Sequence, residues 1–84
     1  MFIRKLRPDE RAPATADRVR IDRLPDGRMT WNGSVIVGGA PVRGGGDGKF
    51  ATVQEAETDA INWARGHGTS QLLIDVSYLW PGPD

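Results

Sequence analysis

Arg18-Val19-Arg20-Ile21-Asp22-Arg23-Leu24-Pro25-Asp26-Gly27-Arg28-Met29-Thr30-Trp31-Asn32-Gly33-Ser34-Val35-Ile36-Val37 is the stretch on which the reading of the fold turns. Residues 18–24 alternate polar and apolar, the period of a half-buried strand. Val19 and Ile21 point one way, and Arg18, Arg20 and Asp22 the other. Pro25-Asp26-Gly27-Arg28 is a turn with a mechanism, because proline presets φ, aspartate bonds the backbone and glycine takes a positive φ. A second strand then runs from Met29 to Val37. Met29, Trp31, Gly33, Val35 and Val37 share one face, while Thr30, Asn32, Ser34 and Ile36 share the other. Together the two strands make a hairpin.

Downstream, residues 38–49 (GGAPVRGGGDGK) hold six glycines and a proline. So much glycine costs backbone entropy, and the segment reads as a flexible connection without regular structure. It is not a phosphate-binding P-loop. That motif needs its first glycine where Arg43 stands and a hydroxyl residue directly after the Gly-Lys pair, where this chain has Phe50. The spacing of a dinucleotide fingerprint is also missing, so no cofactor is expected.

Thr52-Val53-Gln54-Glu55 fits a capping box, with the Thr52 hydroxyl and the Glu55 carboxylate each satisfying a free backbone N–H. The helix is expected to run to about Arg65 and to stop at Gly66 and Gly68. At 100° per residue, Val53, Ala56, Ala60, Ile61, Trp63 and Ala64 gather on one face. Glu57 falls inside that apolar arc. Gln71 to Ser77 follows as another strand, with Leu72, Ile74 and Val76 on one side. The expected order is β-β-α-β: an α+β domain with a small antiparallel three-stranded sheet and one helix packed on a face. A right-handed crossover is expected to set the last strand beside the first, antiparallel to it.

Upstream, residues 8–17 have two prolines, several charges and only alanine as apolar content, too little to repay the entropy of ordering. Residues 1–17 therefore read as a mobile arm, 18–80 as the single domain and 81–84 as a tail. Phe2, Ile3 and Leu6 leave open a fourth strand within residues 1–6.

The stretch Phe50-Ala51-Thr52-Val53-Gln54-Glu55-Ala56-Glu57, with Ala60 and Trp63-Ala64 after it and a hairpin before it, resembles the helix of small uncharacterised bacterial domains of β-β-α-β order. The resemblance spans residues 28–76. It implies a fold and carries no activity or site residues.

Composition narrows the function. The chain has 84 residues, no cysteine and one histidine, so neither a disulfide nor a zinc site with nitrogen and sulfur ligands is expected. Charges in the first eight residues break any signal-peptide core, and no apolar run nears the ~20 residues of a membrane span, which together suggest a cytoplasmic protein. The net charge of zero conceals an asymmetry. Residues 1–30 carry eight bases and five acids, +3, and the remainder three bases and six acids, −3.

No Ser–His–acid set is suggested, and His67 lies between two glycines; no catalytic residue is expected and an enzyme is not. Glu57 is expected to pair with Arg20 or Arg23. Tyr78, Leu79 and Trp80 form the candidate anchor for a partner protein, since Trp and Tyr are typical of binding hot spots. Arg18, Arg20 and Arg28, beside Thr30, Asn32 and Ser34, form the alternative, a nucleic-acid surface reading phosphates. Against it stand the interleaved Asp17, Asp22 and Asp26 and a face without stacking aromatics. The leading expectation is a small non-catalytic regulator or inhibitor that binds another protein or itself as a homodimer. The others are a weak nucleic-acid-binding module and an accessory piece of an enzyme complex.

Overall fold

The computed structural model describes residues 1–7 and 9–76, and in it six elements follow one another: β1 (Phe2–Lys5), β2 (Arg18–Arg23), β3 (Met29–Val37), β4 (Ala40–Gly45), α1 (Val53–Gly66) and β5 (Gln71–Asp75). The strands form one five-stranded mixed sheet in the order β1-β5-β2-β3-β4. The three-stranded antiparallel sheet expected from the sequence is therefore corrected in strand number, direction and order.

The hairpin holds as read. β2 and β3 pair antiparallel with Ile21 opposite Trp31 and Arg20 opposite Asn32. The error begins at residue 38. Gly38 and Gly39 adopt φ of 59° and 83°, the positive values that a two-residue hairpin turn needs at both central positions. They return the chain as β4 against β3, with Val35 opposite Val42 and Ser34 opposite Arg43. One extra antiparallel strand reverses the direction in which the chain enters the helix. A parallel crossover from β4 over α1 then brings β5 down parallel to β2, with Val19 opposite Ile74, where a three-strand reading makes that pair antiparallel.

β1 joins on the far side of β5, parallel to it, with Ile3 opposite Leu72 and Lys5 opposite Ile74. The segment between β1 and β2 passes over the sheet face opposite α1. There Pro13, Thr15 and Ala16 lie around Leu73 and Gln71, and the Arg18 guanidinium donates to the Pro13 carbonyl at 3.0 Å. The two crossovers run in opposite directions along the sheet on opposite faces, so they share one hand, as twisted parallel pairs require.

α1 covers the other face. The Thr52 hydroxyl accepts from the Glu55 N–H at 3.1 Å, and the Glu55 carboxylate accepts from the Ala51 N–H at 3.0 Å. Ala56, Ala60 and Ala64 are fully buried and let the helix approach Val19, Ile21, Val35, Leu72 and Ile74 closely. Trp31 is clamped to the helix through its indole N–H, which donates to Asp59 at 2.8 Å. Leu6 and Leu73 are buried outside this cluster. Leu73 alternates to the opposite face, where the 13–17 segment screens it.

The glycines of β3 and β4 are seats for rings. A Cβ on Gly44 would stand 2.4 Å from the Trp63 indole, and one on Gly33 would stand 2.8 Å from it. Trp63 also meets Trp31 at 5.0 Å between centroids and His67 edge-on at 5.2 Å.

Candidate interaction surfaces

Strand register assigns each polar residue to a face. Opposite α1 lie Arg18, Arg20 and Asp22 of β2, Thr30, Asn32 and Ser34 of β3, and Arg43 of β4. Across three strands the middle row reads Arg18, Ser34, Arg43, and the next reads Arg20, Asn32, Gly45. Arg18, Ser34 and Arg43 of the first row and Arg20 and Asn32 of the second line a depression of about 350 Å³.

Asp22 is committed there: its Oδ2 accepts from the Arg20 guanidinium at 3.1 Å and from the Asn32 amide at 3.2 Å. Asp17 is also spent, because its Oδ1 accepts from the Ile36 N–H at 2.7 Å. The Arg18 acceptor, by contrast, is a neutral carbonyl. No acid lies within ion-pair range of Arg43 among the described residues.

Of the three arginines singled out from the sequence, the fold gathers Arg18 and Arg20 and separates Arg28. Arg28 belongs to the turn at the far end of the hairpin, where its guanidinium stands 3.9 Å from Asp26. Arg43 takes its place. It was concealed in the glycine-rich segment, although Val42 between Pro41 and Arg43 already carried a strand's alternation. Tyr78, Leu79 and Trp80 lie outside the described residues.

Glu57 pairs, but with neither arginine expected of it. Its Oε1 lies 3.2 Å from the Lys5 ammonium, without the alignment of a hydrogen bond, so this buried oxygen has a charge partner and no directed donor. Arg20 cannot reach it because strand alternation sends that side chain to the opposite face. Lys5 can, because it follows Ile3 on the helix face of the adjoining strand.

The sheet's two free edges differ. In β1 the N–H groups of Phe2 and Leu6 donate inward to Ser70 and Ile74 carbonyls, at 2.9 and 2.8 Å. Alternation then turns the N–H and C=O of Ile3 and Lys5 outward, where no strand of the described residues adjoins them. Phe2 is 82% exposed and Ile3 43%. Edges are usually guarded by charge, yet both β1 cations are held sideways. The Arg4 Nη1 reaches both Glu10 oxygens at 3.1 and 2.8 Å, and Lys5 reaches Glu57. On β4 the outward positions begin with Pro41, which has no N–H to offer.

The Glu10 carboxyl is held below the usual carboxylate range, chiefly by the Arg7 N–H at 3.2 Å and then by Arg4. Among the described residues, no three His, Asp or Glu side chains gather as a metal would require, and no helix is long and apolar enough to cross a membrane. Comparison with protein-family models, with curated proteins and with solved structures returned no match.

Proposed function

We propose that the protein is a small non-catalytic interaction module, a cytoplasmic regulator or inhibitor that acts by accepting an extended segment of a partner protein along β1. The observation that carries this reading is the state of that edge: outward backbone groups at Ile3 and Lys5, flanked by exposed Phe2 and Ile3, with the guarding cations drawn away. Strand addition takes its affinity from such main-chain groups and its specificity from side chains on alternate faces. Here those side chains are apolar Phe2 on one face and Ile3 on the other. The β4 edge is blunted by Pro41, which points the same way.

The test is Ile3→Pro. Proline removes an outward N–H and leaves the inward β1–β5 ladder alone, and its φ is compatible with an edge strand. A photo-crosslinker at Phe2 first identifies the partner and the segment that lies beside it. The expected result is a cross-link to an extended segment of one protein, with affinity lost in Ile3→Pro while circular dichroism and the unfolding midpoint stay close to wild type. Retained affinity in a folded Ile3→Pro variant would sink the reading. Sedimentation of the free protein separates a foreign partner from a second copy: a dimer that dissociates in Ile3→Pro makes the accepted strand the chain's own β1.

A further inference from the structure

The depression opposite α1 is independent of the β1 edge and has its own chemistry. Its middle row places a hydroxyl between two guanidinium-bearing residues on adjoining strands, Arg18 and Arg43 on either side of Ser34. Strands spaced about 4.8 Å apart put the two arginine backbones about 10 Å from each other, so two long side chains can close on one small group above Ser34. The charge there is not cancelled in cis. Arg18 donates to a carbonyl, and Arg43 has no acid in range among the described residues. The carboxylates Asp22 and Asp75 share this face, and both stand beside Arg20 and not beside the Arg18–Ser34–Arg43 row: Asp22 is held by Arg20 and Asn32, and Asp75 is the register partner of Arg20 on β5.

We infer that this row is a binding site for the phosphate group of a small phosphorylated ligand. Two guanidinium forks and a hydroxyl match the oxygens of a phosphate monoester, whose doubly charged form gains most from charge-assisted hydrogen bonds. The depression, about 350 Å³, is of small-ligand size. A nucleic-acid strand fits it worse. Among the described residues no aromatic ring lines it for bases to stack on, and a long phosphate backbone continuing along β2 would meet Asp22.

The experiment is an amide NMR titration of the intact protein, at low salt, with inorganic phosphate and with phenyl phosphate as probes. Saturable shifts are expected at Arg18, Ser34 and Arg43, with phenyl phosphate binding at least as tightly as phosphate. Arg43→Gln should weaken binding about tenfold, the scale of one charge-assisted contact, and Arg18→Gln/Arg43→Gln should abolish it, both with the dispersed spectrum of the folded protein. No saturable shift, or equal shifts in the folded double variant, would overturn the assignment. So would a single-stranded oligonucleotide binding far more tightly than either probe with a steep salt dependence, which would make this a nucleic-acid surface.

Discussion

One residue that constrains this fold closely has no side chain. Gly44 lies under the Trp63 indole, with room for a hydrogen and none for a methyl: the added carbon would stand 2.4 Å from one ring atom and 2.6 Å from another. Trp63 is only partly buried, but its ring is rigid and is held between β4, Trp31 and His67, so the cost of overpacking applies, about 1–3 kcal/mol. Gly66, the last residue of α1, is the internal control. Nothing lies within 4 Å of a Cβ there and its φ is not positive, so alanine gains helix propensity and a less flexible unfolded chain, about 0.4–1 kcal/mol. Urea denaturation is expected to move the midpoint down for Gly44→Ala and up for Gly66→Ala. Equal small losses at both positions would mean that Trp63 does not rest on β4. This seat also explains a limit of sequence reading. Glycine in a strand usually marks weakness, and only the partner ring, 19 residues further along the chain, makes it a requirement.

At the scale of elements, what was legible was local. Alternation gave β2 and β3, and Thr52 and Glu55 gave the start of α1, because period and capping are properties of a few neighbouring residues. What was not legible depended on distant pairing. β4 is glycine-rich and forms because β3 offers it a ladder. β1 forms because β5 does, and the pairing of Glu57 with Lys5 exists only once β1 is in place. Of the arginine row, Arg18 is legible from the alternation of β2, whereas Arg43 lies in a glycine-rich stretch whose short alternation around Val42 becomes a strand only against β3. The clasp that steadies β1 can be tested by acid. Glu10 holds Arg4 and the Arg7 N–H, and its pKa lies below the ordinary carboxylate value. A carboxyl shifted in this direction lends its stabilisation above the unfolded-state pKa and loses it as pH falls through the lowered, folded one. Amide exchange at Arg7 is therefore expected to accelerate, relative to the intrinsic rate, as acid protonates Glu10. Glu10→Gln should bring that loosening to neutral pH. A protection factor at Arg7 unchanged by either would mean that the clasp does not hold.

For the whole molecule the question is whether β1 is an ornament on a four-stranded domain or part of its cooperative unit. A chain of 84 residues has a net stability of only about 4–13 kcal/mol. Removing residues 1–6 deletes Leu6, 5% exposed, and the main-chain bonds from Phe2 and Leu6 to the β5 side. It also deletes the charge partner of the buried Glu57 oxygen. Leu6 alone is worth about 1.5–3 kcal/mol, and a buried carboxylate stripped of its partner adds to the loss. The shortened chain is expected to be destabilised by roughly 2–5 kcal/mol on those terms, a large part of what the fold has. Ile3→Pro keeps Leu6, the inward bonds and Lys5, so the same denaturation experiment should leave it near wild type. The contrast separates the two duties of one strand, its inner side holding the sheet together and its outer side meeting a partner. If deletion left the midpoint unmoved, β1 would dock outside the cooperative unit, and an incoming strand could then displace it and pair with β5 directly instead of extending the sheet beyond it.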